Sequence, residues 1–191
     1  MEIKGCVGLV TGGNRGIGEA FVRVLLESGA QKVYAGSRDP AAAAHLVEQF
    51  TGRCIALELD VTDYDEVAMA ARDCGDVSLV VNNAGLFSNQ TLLGAPDMSI
   101  ARQEMEVNYF GTLAMCRAFA PVLARNGGGD LLVQVIEPLP ALRCRRHATG
   151  ARSTAVQRAT ARQCPIGRHS LPGHVIEFTH HRRAMCLSLR V

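Results

Sequence analysis

The chain reads as an α/β protein built on a doubly wound parallel sheet that stops after about its fifth strand. Two observations predict this. Short apolar runs alternate with segments of helical periodicity from residue 5 to residue 136. A glycine-rich turn follows the first of those runs and opens the first helical segment. Strands separated by helices make a parallel sheet with both faces covered. Right-handed crossovers then wind it in two directions, and ligands bind beyond the carboxyl ends of the strands where the strand order reverses.

The elements follow in order. Residues 5–11 (GCVGLVT) form a buried strand. Residues 16–28 are helical, with Ile17, Phe21, Val24 and Leu25 on one face, and Gly29 ends the helix. Residues 32–36 (KVYAG) form the second strand. Residues 40–50 open on Pro40, which suits a first helical turn, and run through alanines to Leu46, Val47 and Phe50. Residues 53–59 (RCIALEL) form the third strand. A short helix over 63–72 carries Asp63, Asp65 and Glu66 at its positive end. Residues 77–82 (VSLVVN) form the fourth strand, 99–125 a long helix bent near Gly111, and 130–136 the fifth strand.

Composition bounds the rest. The chain has 191 residues, 48% hydrophobic and 20% charged, with net charge +2, as expected for a soluble protein with a sizeable core. No apolar run is long enough to span a bilayer, and the N-terminus lacks a signal-peptide layout, so a cytoplasmic chain is expected. Seven cysteines without regular spacing are not a disulfide framework.

The overall charge conceals a split. Residues 1–136 hold ten basic and sixteen acidic side chains, a net of −6. Residues 137–191 hold ten arginines, no lysine and two acids (Glu137 and Glu177), a net of +8. Five of the six histidines also lie there. The two segments are therefore treated separately, 1–136 as the α/β unit and 137–191 as an arginine-rich, irregular tail.

Four motifs carry chemistry. The loop after strand one reads TGGNRGIG, Thr11 to Gly18. Its glycines let the backbone approach a pyrophosphate, and the following helix aims free N–H groups at it. Alone, such a loop is equally a tight turn that binds nothing; here a strand precedes it and a helix follows. DVTD (60–63) comes after strand three, NNAG (82–85) after strand four, and VNYFG (107–111) within the long helix.

In order and spacing, residues 1–136 resemble the short-chain dehydrogenase/reductase family, whose fold is Rossmann-like. The resemblance implies hydride transfer between a nicotinamide cofactor and a small carbonyl or alcohol, as in a carbonyl reductase. It implies that Gly12, Asn14, Gly16, Ile17 and Gly18 line the pyrophosphate and adenine ribose. Asp60 and Val61 would flank the adenine. Asn83, Ala84 and Gly85 would support the sheet and the cofactor ribose, and Asn108 would organise a water of the proton relay.

Charge bears on the cofactor. At the end of strand two, where NAD-preferring members carry an acid, stands Ser37, followed by Arg38. Arg15 sits in the glycine loop. Two guanidinium groups near one point favour a 2′-phosphate, hence NADP(H) over NAD(H). Asp39 is a rival ribose acid one step later, and the arginines are alternatively plain solvated charges.

The family's proton-transfer pair is missing. Tyr34, Tyr64 and Tyr109 are followed four residues later by Arg38, Ala68 and Leu113, and the last lysine is Lys32. Where the family's serine belongs the chain reads Glu137-Pro138, and the next serine is Ser153. These departures point to a member without turnover. The alternatives are a non-catalytic dinucleotide-binding or truncated protein-interaction domain, and a nucleic-acid-binding tail. Oligomerisation is in doubt, because the helix that would carry the tyrosine also packs at the family's subunit interface.

The tail offers little chemistry of its own. Cys144, His147, Cys164, His169, His174, His180, His181 and Cys186 are zinc-type ligands, but their spacing matches no finger, so no metal site is expected. Ten arginines without interleaved aromatics do not make a nucleic-acid module. Arginine without lysine, amid cysteine, histidine and proline, has the composition of an out-of-frame translation of a GC-rich gene, or of an alternatively spliced end. A short amphipathic helix over Ala148–Arg162 is the one regular element expected there.

Overall fold

The computed structural model describes residues 2–90, 94–135, 169–171, 174–181 and 184–190, with side chains through Gln134. Five strands, β1 (Val7–Thr11), β2 (Lys32–Ser37), β3 (Cys54–Glu58), β4 (Leu79–Asn82) and β5 (Asp130–Val135), lie parallel. Their order is β3-β2-β1-β4-β5. The order reverses between β1 and β4, where Val10 pairs with Val81, so the crevice of a doubly wound sheet opens above those two strands.

The alternation of side chains along β1 explains why both faces are covered. Leu9 belongs to one buried cluster, with Val80, Met115, Phe119 and Leu123. Its neighbour Val10 belongs to the other, with Val22, Leu26, Val33 and Leu46. Helices α1 (Gly16–Glu27) and α2 (Ala44–Gln49) cover the second face. Helices α3 (Tyr64–Asp73) and α5 (Thr112–Arg125) cover the first.

Local chemistry sets the helix ends. Asp39 accepts the Ala41 amide at 3.0 Å, so the segment expected as one helix over 40–50 begins as a 3₁₀ turn, Pro40–Ala43, before α2. Asp63 caps α3 through the amides of Asp65 and Glu66. The long helix expected over 99–125 is α4 (Ser99–Met105), a π-turn (Glu106–Gly111) and α5. The π-turn sits where the sequence predicted a bend, and π-turns in longer helices often mark functional positions.

The tail departs from expectation. His169–Leu171, His174–His181 and Ala184–Arg190 are strands β6, β7 and β8, not irregular chain. They extend the sheet in the order β5-β8-β7-β6, all antiparallel. β8 pairs with β5 from Asp130↔Arg190 to Val135↔Met185, which occupies an edge that would otherwise stay open. Its sequence AMCLSLR alternates apolar with polar residues, the two-residue period of a strand. The helix expected over Ala148–Arg162 lies outside the described residues. Among those described, no helix is long and apolar enough to cross a membrane.

Candidate functional site

The glycine loop is tied to the end of β4 by a side chain at the end of β1. Thr11 Oγ1 accepts the amides of Asn83 at 3.0 Å and Ala84 at 2.9 Å. Asn83 Nδ2 in turn donates to the carbonyls of Thr11 at 3.0 Å and Gly12 at 3.3 Å. Four hydrogen bonds therefore fix the loop across the strand-order switch. Gly12 has φ +64° and Gly16 φ +57°, both favouring glycine. A Cβ on Gly18 would lie 2.0 Å from the Gly12 carbonyl oxygen and 2.5 Å from Asn83 Nδ2. Thr11 was legible only as part of the loop; nothing local in the sequence reveals its bonds to the next strand.

Above this hub lies an open cleft of about 640 Å³. Every cofactor-site residue expected from the sequence lines it: Gly12, Asn14, Arg15, Gly16, Ile17, Gly18, Ser37, Arg38, Asp60, Val61, Asn83, Ala84 and Gly85. Asp39, Ala42, Leu59, Leu86 and Val107 complete the wall. Arg15, at the N-terminus of α1, and Arg38, just past β2, are both exposed at the same cleft. Ser37 is buried and donates its hydroxyl to the Asp39 carbonyl at 2.7 Å. Asp39 Oδ1 is engaged in capping the 3₁₀ turn. Asp60 Oδ1 accepts both the amide and the hydroxyl of Thr62, at 2.9 and 2.8 Å.

Asn108 lies in the π-turn, and its side chain is committed to the loop after β4. Its Oδ1 accepts the Leu86 amide and its Nδ2 donates to the Leu86 carbonyl, each at 2.8 Å. It is absent from the cleft's wall, whereas its neighbours Leu86 and Val107 are present. Two residues beyond Leu86, the Ser88 amide donates to Glu104 at 2.6 Å, a bond that holds the Glu104 carboxyl below the usual range.

None of the three tyrosines lines the cleft. Tyr64 donates to Glu106 at 2.8 Å, and the Tyr109 ring stands edge-on to Phe110. Tyr34 does meet a lysine: Lys32 Nζ lies 2.7 Å from its hydroxyl and 2.5 Å from Asp76 Oδ2. That pair starts at Lys32, the first residue of β2, whereas the cleft opens at the strands' carboxyl ends. Burial, above all, pushes the Tyr34 phenol up, so it stays protonated there. Cys54 and Cys74 are pushed up to about 11 and about 12 by burial, so neither is a nucleophile at neutral pH. Among the described residues no three metal-ligating side chains come together.

The model of the short chain dehydrogenase family matches residues 7–135, more than half of the chain. The chain belongs to the short-chain dehydrogenase family. Among curated relatives, a sorbitol dehydrogenase of Cereibacter sphaeroides is 32% identical over 143 residues, covering 71% of this chain and 54% of that protein. A short chain dehydrogenase of Burkholderia cenocepacia, solved in complex with NADP, is 48% identical with a TM-score of 0.63, covering 68% of this chain and 52% of that one. A 3-ketoacyl-(acyl-carrier-protein) reductase of Brucella melitensis, complexed with NADH, is 26% identical with a TM-score of 0.61, covering 65% and 53%. This short-chain dehydrogenase chain thus spans about half the length, or less, of the curated relatives it matches. The family match ends at residue 135, where the composition of the chain also changes.

Proposed function

We propose that this chain binds NADP(H) in the cleft through residues 1–136 and does not itself turn over a substrate. The observation that carries this is the joint content of the cleft: a glycine-loop cradle at the strand-order switch, with no tyrosine or lysine among the described residues of its wall. The cradle fits the cofactor on its own geometry. Gly18 has no room for a side chain, so the backbone around Gly12 and Gly16 is left bare at the N-terminus of α1. Free amides at a helix N-terminus stabilise a phosphate anion.

Arg15 and Arg38 supply the charge for a 2′-phosphate, and each charge-assisted bond to such a group contributes about 1.5–3 kcal/mol. Asp39, the rival ribose acid, already spends one carboxylate oxygen on its cap. When bound, the cofactor supplies the hydride. The protein's part in the family is to hold the carbonyl and deliver a proton. Here Asn108 orders the loop through Leu86, but among the described residues of the cleft none is a tyrosine with a proton to give. Loss of a general acid costs about 10²–10⁴ in rate.

Calorimetry with NADPH and NADH, followed by NADPH consumption against small ketones, aldehydes and quinones, tests both halves. NADPH binding without consumption is expected. Turnover well above a no-enzyme control overturns the inactive half, and failure to bind either cofactor overturns the other.

A second reading, a protein-contact domain, is favoured by one surface. Met98, Met105, Tyr109, Phe110 and Leu113, along α4, the π-turn and the start of α5, are 41–66% exposed. An apolar stripe of that kind marks an interaction surface. Sedimentation of wild type against Leu113→Glu tests it, with loss of self-association expected in the variant.

A further inference from the structure

We propose that the outer edge of β5 is a strand-acceptor site, and that β8 fills it as a releasable plug. β5 pairs with β4 along one edge, from Leu79↔Asp130 to Asn82↔Val133. Among the described strands only β8 lies along the other. The sequence of β5, DLLVQV, carries one charge, at its first residue, and no proline. A short run of high β-propensity and low charge is the kind of edge that recruits a further strand. Its outward N–H and C=O groups need a partner, and main-chain bonds supply affinity whatever side chains that partner carries.

Register gives the site its selectivity. Consecutive pairs run from Asp130↔Arg190 to Val135↔Met185, so Met185, Leu187 and Leu189 stand opposite Val135, Val133 and Leu131. Leu131 belongs to the buried cluster beneath α5, and opposed residues of an antiparallel pair share a face. The apolar positions of β8 are thereby placed on that side of the sheet. A slip of one residue would bring Cys186, Ser188 and Arg190 there instead. The same register sets the single acid of β5 opposite the single base of β8. The ligand this edge selects is an extended peptide with alternate apolar residues and a basic residue opposite Asp130. Release follows from connectivity. β6, β7 and β8 are joined to one another by two residues each, whereas residues 136–168 separate them from β5. The three strands join the parallel sheet through one ladder, and opening that ladder breaks no pairing among β1 to β5.

The test uses full-length Leu187→Pro, which puts a proline at the centre of β8 and removes a ladder donor. The probe is a labelled synthetic peptide, AMCLSLR, the sequence of β8. Fluorescence polarisation under reducing conditions is expected to show capture by Leu187→Pro. Capture by wild type is expected to be weaker by about tenfold or more, because its own tethered β8 holds the site. A peptide with Arg190→Glu, which opposes like charges, is expected to bind Leu187→Pro more weakly than the native peptide. Failure of Leu187→Pro to capture the peptide, capture as tight by wild type, or equal capture of a peptide that itself carries Leu187→Pro overturns the proposal. Hydrogen exchange in the wild-type chain is a second measure that needs no variant. The amides of β8 are expected to exchange well before those of β4, and equal protection of the two strands overturns release.

Discussion

Val61 and Gly111 meet so closely that a methyl group on Gly111 would lie 2.7 Å from Val61 Cγ2 and 3.2 Å from the Val61 carbonyl oxygen. Val61 is part of the cleft's wall, and Gly111 closes the π-turn that holds Asn108. The contact therefore joins the cleft's wall to the helical segment that carries Asn108. Gly111→Ala is expected to cost about 1–3 kcal/mol, the cost of overpacking a tight contact. Urea unfolding should show a lower midpoint. NADPH affinity should fall with it, because Val61 must give way.

Gly18→Ala is expected to be more severe for binding. Its Cβ would sit 2.0 Å from a backbone oxygen of the same loop, which no rotamer relieves. The loop must open, breaking the Asn83 bonds to Thr11 and Gly12. Calorimetry should detect no NADPH binding in this variant, while the far-ultraviolet dichroism of the sheet and helices persists.

Arg38→Ala should discriminate between cofactors. Its loss removes a cation from the proposed 2′-phosphate site and nothing from the pyrophosphate cradle. About a tenfold to hundredfold loss of NADPH affinity is expected, with NADH unaffected. An equal loss for both would mean that Arg38 serves the pyrophosphate or the fold instead.

The Lys32–Tyr34–Asp76 cluster gives stability a dependence on pH at both ends. Burial raises the Asp76 carboxyl, but the bonds from Lys32 and Tyr34 outweigh it and hold it below its ordinary 3.8. Its contribution is thus present above pH 3.8 and lost as pH falls through the lower folded value. Lys32 is held above its ordinary 10.5, chiefly by Asp76, so its contribution is present below pH 10.5 and lost as pH rises through the folded value. Asp76 is 49% exposed, and solvent screening limits the pair to about 1 kcal/mol or less. Melting curves of Asp76→Asn should run a degree or two below wild type at neutral pH and converge with it in strong acid.

The parallel half of the fold was legible because its signals are local. Buried runs such as VGLVT and LVVN fit strands, and a loop that needs φ above +50° at Gly12 and Gly16 announces itself by glycine. Bonds that cross between elements were not legible. A threonine ending a strand or a glutamate in a helix's first turn has an ordinary local explanation, so the bonds of Thr11 to Ala84 and of Glu66 to Asp60 left no trace. The bend near Gly111 was visible, but its π geometry was not. The strands of the tail were missed because charge and composition outweighed the short alternation in Ala184–Arg190. The partner of β8 in the parallel half, β5, also ends some fifty residues earlier.

The direction of β8 has a further consequence. A strand running parallel to β5 obliges the chain to climb back over the sheet, and that return path is ordinarily a helix. A strand running the opposite way carries no such obligation, since a hairpin partner delivers it: β7 ends at His181 and β8 starts at Ala184. With Val135 opposite Met185, the start of β8 stands at the sheet margin where Asn82 and Asn83 lead into the cleft. Reversal of one strand thus lets an antiparallel meander of β6, β7 and β8, rather than a further crossover unit, cap the parallel sheet.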